Sequence, residues 1–189
     1  MILYGVAGTN GSGKDTFGEL LVEKDNFLFV SVTDMLREEA RLRGWPLERE
    51  KLRTISAEWR REHGLGVLVD KAFAHFEELG GDEKYAGLVM ASMRNPGEAD
   101  RIHELGGKMV WIDADPKIRY YRIHSRQRTV EDDKTFEQFL SEEQAEMTAS
   151  GDETTLDGSK VKEQCDIFIT NDSHETKDFY TEIRKSLEL

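Results

Sequence analysis

Residues 8–16 read Gly-Thr-Asn-Gly-Ser-Gly-Lys-Asp-Thr, and this stretch decides the fold. An apolar run precedes it at residues 2–7, and a segment with helical spacing of apolar residues follows it from residue 17. A strand, a glycine-rich turn and a helix, in that order, are the setting that a phosphate-binding loop requires. Glycines let successive N–H groups point inward at an anion, and the positive start of the helix strengthens the attraction.

The side chains of this loop predict a site for ATP and Mg²⁺. Lys14 stands where an ammonium group reaches the outer phosphates, and Thr16 supplies a hydroxyl near the metal. An ordinary glycine-rich turn is the alternative, but the spacing of the outer glycines, the lysine and the threonine argue against it. The predicted nucleotide contacts in the loop are Gly8, Asn10, Gly11, Ser12, Gly13, Lys14, Asp15 and Thr16.

Asp15 departs from the usual loop pattern, in which serine or threonine directly follows the lysine and meets magnesium. A carboxylate beside a triphosphate is repelled unless a cation lies between them. Asp15 therefore either faces the magnesium shell, together with Thr16 and partly through water, or stabilises the positive start of the helix. The sequence leaves both interpretations open.

Composition limits the class of protein. A chain of 189 residues with 38% hydrophobic and 34% charged residues predicts one globular domain over residues 1–189. A formal net charge of −12 argues against nucleic acid or an anionic membrane as partner, so a small anionic substrate needs a locally positive cleft.

No apolar run predicts a membrane span, and the single cysteine, Cys165, suits packing in a reducing cytoplasm. Monomer and homodimer are both open.

The alternation of strand and helix patterns predicts a three-layer α/β/α fold with a five-stranded parallel sheet in the order 2-3-1-4-5. Thr33 or Asp34 is expected to cap the helix that follows the second strand. After the third strand, Asn95 suits an N-cap, Pro96 the first helical position and Glu98 the capping-box position. A mobile loop is expected at residues 149–158, which are almost without apolar side chains. Besides residues 2–7, the predicted strands are residues 27–32, 88–91, 109–113 and 166–170.

Ligands of such sheets bind beyond the carboxyl ends of the strands. The polar residues that follow the predicted strands are therefore expected to lie near one another. They are Lys14, Asp34, Arg37, Arg94, Asp113 and Asn171.

The segment Ser-Val-Thr-Asp-Met-Leu-Arg-Glu-Glu at residues 31–39 resembles the helix that opens the acceptor site of nucleoside monophosphate kinases. The resemblance implies an acceptor site at Thr33, Asp34 and Arg37, with Arg94 as the second arginine on the acceptor phosphate. It places the acceptor-binding helical region at about residues 34–80. If the acceptor is instead a hydroxyl, Asp34 is the candidate base.

The same resemblance implies a donor side formed by later residues. Arg122 and Arg126, four residues apart on one helical face, are similar to the pair that holds the phosphates of ATP at the entrance of a lid, here about residues 126–157. Asn171 is similar to the loop beside adenine in dephospho-CoA kinases. Each arginine has a plain alternative, which is an ion pair with neighbouring acids.

Over nearly its full length the chain is similar to mostly prokaryotic P-loop proteins described as dephospho-CoA-kinase-like or adenylate-kinase-like. The resemblance implies ATP-dependent phosphorylation of a nucleoside or deoxynucleoside monophosphate, with phosphorylation of a hydroxyl as the alternative. A nucleotide-binding regulatory NTPase without kinase activity is the hypothesis of another class. The third strand ends in Ala91 and Ser92, where such kinases have an acid near magnesium.

Overall fold

The computed structural model describes residues 1–126, 134–148, 151–173 and 175–189, with the Arg126 side chain outside this description. Five parallel strands form one sheet in the order β2-β3-β1-β4-β5, which confirms the predicted fold. The strands are β1 (Ile2–Gly8), β2 (Phe27–Ser31), β3 (Gly87–Ala91), β4 (Lys108–Asp113) and β5 (Ile167–Thr170).

Helices connect the strands and cover both faces of the sheet. On one face α1 and α10 pack through Phe17, Leu21, Phe179 and Ile183, and the remaining core packs against the other face. The described helices are α1 (Lys14–Asp25), α2 (Val32–Leu42), α3 (Arg49–His63), α4 (Val67–Glu78), α5 (Gly81–Lys84), α6 (Pro96–Glu104), α7 (Pro116–Arg126), α8 (Phe136–Met147), α9 (Gly158–Glu163) and α10 (Thr176–Leu187).

Burial explains why the central strands read as continuous apolar runs. Every residue of β3 is buried, because this strand lies between β1 and β2 and carries helices on both faces. Parallel strands also bring all their carboxyl ends to one edge of the sheet. The residues after β1, β2 and β3 therefore meet at that edge.

The capping prediction for α2 was wrong by two to three residues. Ser31 is the N-cap, and its hydroxyl accepts a hydrogen bond from the backbone N–H of Asp34 at 3.4 Å. Thr33 and Asp34 lie inside the first turn, because the last residue of β2 already caps the helix. At α6, by contrast, Asn95, Pro96 and Glu98 form the predicted capping box.

The segment after α8 is irregular, as predicted, but residues 151–157 are tied to the domain. The side-chain amide of Asn95 donates to the carbonyl oxygens of Glu153 and Thr155, both at 2.8 Å. The backbone N–H of Asp157 donates to the Arg94 carbonyl at 3.0 Å. These contacts argue against the mobility expected there, while residues 149 and 150 lie outside the described part of the chain.

Cys165 precedes β5 instead of lying in it. Its thiol is buried, and burial raises the pKa of Cys165 to about 12, which fits a packing role for this side chain.

Among the described helices none combines the length and the apolar character that crossing a membrane requires.

Candidate active site

The loop between β1 and α1 has the backbone of an anion cradle. Gly8 has a φ of +143°, and a Cβ there would lie 2.0 Å from the Ile112 carbonyl oxygen. Gly13 has a φ of +102° and precedes the first helical residue, Lys14. Among the described residues no side chain caps α1, so its first N–H groups are available to an anion.

Lys14 is held inside this loop. Its ammonium group donates to the carbonyl oxygens of Thr9 at 2.6 Å and Gly8 at 3.1 Å, and the residue is 8% exposed. Burial, followed by the positive charge of Arg94, lowers the pKa of Lys14 to about 7. A bound phosphate would supply the negative charge that this buried group lacks.

A cleft of about 280 Å³ opens beside the loop and passes between α2, α3 and α8. It brings together the phosphate loop and the predicted acceptor residues Thr33, Arg37 and Arg94. Its cationic lining residues are Lys14, Arg37, Arg49, Arg53, Arg60 and Arg94, and its carboxylates are Asp15 and Glu146. Within a chain of net charge −12, the cleft is therefore a local concentration of positive charge.

Arg94 joins the phosphate loop to α8 across the cleft. Its Nη2 donates to the Asn10 Oδ1 at 2.8 Å, and its Nη1 donates to the Glu146 Oε2 at 2.6 Å. The Glu98 carboxylate accepts a hydrogen bond from the Arg94 backbone N–H at 2.8 Å. The residue that caps α6 therefore also holds the backbone of Arg94 in position. This geometry agrees with the predicted position of Arg94 at the strand edge.

Arg37 and Asp34 are arranged differently from Arg94. They pair with each other at 2.7 Å on the outer part of α2, where the Asp34 side chain is 68% exposed. Arg37 and Thr33 line the cleft, whereas Asp34 is not part of the lining. The role of Asp34 as a base therefore stays a prediction, and its present position does not favour it.

A second cavity of about 120 Å³ lies on the other side of the loop, next to α10. Arg122 and Asn171 line it together with Thr16. Arg122 donates to the Ser173 carbonyl at 2.8 Å, and the Asn171 amide donates to the Ser12 carbonyl at 2.8 Å. Arg122 thus lines the second cavity and is not part of the cleft lining. The Arg126 side chain lies outside the described part of the chain.

Arg119 is a site residue that the sequence reasoning missed. It is 2% exposed, pairs through two nitrogens with Glu143 of α8 and donates to the Asn10 carbonyl at 3.3 Å. It thereby joins the phosphate loop to α8. Its position three residues before Arg122, on the same face of α7, is the sequence feature that could have indicated Arg119.

Glu146 was missed as well, because no local pattern singles it out in an acidic segment. Its carboxylate contacts arginines that are 52 to 97 residues distant in sequence. Burial alone would raise its pKa, but Arg94, Arg49 and Arg53 outweigh this effect and lower the pKa of Glu146 to about 2. Glu146 is therefore ionised at neutral pH.

A buried ion pair supports the floor of the cleft. Arg60 donates to the Glu98 Oε1 at 2.6 Å, and the two side chains are 3% and 1% exposed. Arg60 also donates to the Thr154 carbonyl at 2.9 Å. The pair connects α3, α6 and the segment after α8.

The residues at the start of α1 fit a magnesium ion. Asp15 and Thr16 line the cleft, and neither side chain hydrogen-bonds to another described residue. The described residues contain no cluster of three or more His, Cys, Asp or Glu with metal-binding geometry. This donor set matches Mg²⁺, which usually takes one or two protein carboxylates and otherwise phosphates and water.

The sheet order and the phosphate loop define a P-loop α/β fold. Shikimate kinase from Bacteroides thetaiotaomicron has a TM-score of 0.61 at 16% identity, with 100% of this chain and 99% of that chain covered. A gluconokinase from Sinorhizobium meliloti 1021 has a TM-score of 0.52 at 16% identity, over 98% and 90% of the two chains. At these identities the likeness establishes the fold.

The chain belongs to the AAA domain family, whose model matches residues 5–148, and to the UPF0200 proteins. A UPF0200 protein of Pyrococcus abyssi is 31% identical over 146 residues, which are 75% of this chain and 76% of the relative. A UPF0200 protein of Pyrobaculum aerophilum is 26% identical over 184 residues, which are 96% of this chain and 94% of the relative.

Proposed function

We propose that this protein transfers the γ-phosphoryl group of ATP to a small anionic acceptor, a nucleoside or deoxynucleoside monophosphate. The observation that carries the proposal is Arg94, which hydrogen-bonds to Asn10 of the phosphate loop and lines the acceptor cleft. A donor phosphate bound at the loop and an acceptor phosphate bound in the cleft would both lie next to this guanidinium, and so next to each other. Positioning and charge neutralisation are most of what phosphoryl transfer asks of a protein.

The charge of the cleft supports an anionic acceptor. An acceptor phosphate needs cations for binding and no strong base, whereas a hydroxyl acceptor needs a positioned proton acceptor. Among the described residues, six cationic side chains and two carboxylates line the cleft, and of the carboxylates Glu146 is paired with arginines. Asp34, the candidate base, lies outside the lining.

The proposed reaction assigns a task to each group. Lys14 and the loop N–H groups bind the donor phosphates, and Arg94 holds the acceptor phosphate oxygen in line with the γ-phosphorus. A bond forms between that oxygen and phosphorus while the bond from phosphorus to the ADP oxygen breaks, which yields ADP and a nucleoside diphosphate. When bound at Asp15 and Thr16, Mg²⁺ neutralises charge on the transferred group.

A hydroxyl acceptor is the second candidate. It is favoured by the fold, which this chain shares with a shikimate kinase from Acinetobacter baumannii solved in complex with shikimate. A regulatory nucleotide-binding protein is the candidate of another class.

One assay separates the three. ADP formation and phosphorylated product are measured with ATP, Mg²⁺ and a panel of ribo- and deoxyribonucleoside monophosphates, dephospho-CoA, shikimate and gluconate. We expect product with one or more monophosphates, and a loss of about a hundredfold or more in kcat/KM for Arg94→Ala. Arg41→Ala, an exposed substitution on α2 outside the cleft lining, is the matched control. Product only from a hydroxyl compound would support the second candidate, and nucleotide binding without any product would support the regulatory one.

A further inference from the structure

Glu146 is surrounded by donors from three separate parts of the chain. Its Oε1 accepts from Arg53 at 2.8 Å and from Arg49 at 3.3 Å, both on α3. Its Oε2 accepts from Arg94 at 2.6 Å and from the Asn10 amide at 2.9 Å. The Glu146 side chain is 12% exposed, so the α8 carboxylate is nearly enclosed within the cleft.

This arrangement has an excess of positive charge. Arg53 and Arg94 alone bring two guanidinium groups to one carboxylate, and planar guanidinium forks match the oxygens of a carboxylate or a phosphate. The four donors thus form a preorganised anion site, whose occupant in this structure is a side chain of the protein itself. A phosphate dianion would neutralise more of the charge than a single carboxylate does.

The neighbouring contact of α8 explains how Glu146 could leave without undocking the helix. Glu143, one turn earlier, pairs with the buried Arg119 of α7. This second ion pair does not involve Arg49, Arg53 or Arg94. A change of the Glu146 rotamer alone would therefore vacate the anion site while α8 stays attached at Glu143.

We infer that Arg49, Arg53 and Arg94 form the anion subsite for the acceptor, and that Glu146 fills it until the phosphate group of the acceptor displaces the carboxylate. This inference rests on the proposed function, which supplies the acceptor, and it assigns the acceptor to the class of phosphate-bearing molecules. It also replaces Arg37 of α2 with Arg53 of α3 as the acceptor arginine beside Arg94, because Arg37 pairs with Asp34 and Arg53 shares an anion with Arg94. Displacement of Glu146 also breaks the hydrogen bond that the Asn10 amide donates to it. Binding of the acceptor would therefore change a contact of the phosphate loop.

Calorimetric titration with inorganic phosphate, without ATP, tests the inference. Glu146→Gln keeps the shape of the side chain and removes the competing charge, so phosphate is expected to bind at least about tenfold tighter than to the wild type. Glu142→Gln is the matched control on the same helix, because Glu142 pairs with Lys134 and is not part of the cleft lining. We expect its phosphate affinity to stay within about twofold of the wild type.

A double variant locates the phosphate. Adding Arg53→Gln to Glu146→Gln is expected to abolish the gain, whereas phosphate bound at the loop around Lys14 would be unaffected by Arg53. The inference is overturned if Glu146→Gln binds phosphate no better than Glu142→Gln, if the gain survives in the double variant, or if no variant binds phosphate. Because the titration contains no ATP, its outcome is independent of the kinase assay, and either proposal can fail alone.

Discussion

The guanidinium of Arg94 donates a hydrogen bond to the side-chain oxygen of Asn10 at 2.8 Å, across 84 residues of sequence. One residue belongs to the phosphate loop after β1 and the other follows β3, and the two strands pair in parallel register. The contact places a cation of the cleft lining next to the phosphate loop.

Lys14→Ala is expected to remove ATP binding, because the ammonium is the buried cation of the loop. Turnover should fall by about a hundredfold or more, and the fold should persist since the ammonium bonds only to the carbonyls of Gly8 and Thr9, at the end of β1. Nucleotide titration and circular dichroism measure the two effects. Lys24→Ala, at an exposed position of the same helix, is the control. Unchanged nucleotide affinity in Lys14→Ala would contradict the site.

The free energy of unfolding is expected to depend on pH through Lys14. Its pKa is about 7 in the folded protein and 10.5 in the unfolded chain, so the unfolded state binds more protons between these values. Stability therefore rises with pH in that window, whereas below about pH 7 the charged Lys14 destabilises the fold by a constant amount and adds no pH dependence. Urea unfolding of wild type and Lys14→Met from pH 6 to 10 measures the difference. Parallel stability curves for the two proteins would refute the prediction.

Glu98→Ala is expected to destabilise the protein by about 3–5 kcal/mol, because it leaves the buried guanidinium of Arg60 without its carboxylate. Glu98 also accepts from the backbone N–H of Arg94, so the acceptor side loses its support as well. Chemical denaturation measures the loss. Glu104→Ala, which removes a partly exposed partner of Arg101 on the same helix, should change stability by no more than about 0.5 kcal/mol. Similar losses for the two variants would show that burial of the pair is unimportant.

Asp15→Asn distinguishes the two interpretations of Asp15. If the carboxylate positions magnesium, the variant should need more Mg²⁺ for ATP binding, while metal-free ATP binds equally well or better because a repulsive charge is gone. Titrations at several Mg²⁺ concentrations measure this dependence. Identical magnesium dependence in the two proteins would leave Asp15 with the plain role of stabilising the helix start, worth about 0.3–1 kcal/mol.

The sequence by itself determined the sheet, the phosphate loop and the α6 cap. These features depend on residues that are close in the chain, such as the spacing of Gly8, Gly13 and Lys14 or the box formed by Asn95 and Glu98. Local backbone sterics and periodic burial decide them, and both are visible in a short window of sequence. The position of Arg94 at the strand edge followed from parallel topology alone.

Only the tertiary structure decided which charges share the cleft. Glu146 and Arg53 are 93 residues apart, and Arg119 and Glu143 are 24 apart, so no periodic pattern links either pair. Asp34 and Arg37 lie in the expected segment, yet they pair with each other, because neighbours one helical turn apart satisfy one another at low entropic cost. Ion pairing between distant side chains depends on how helices dock. Docking is a property of the assembled core, and local sequence does not encode it.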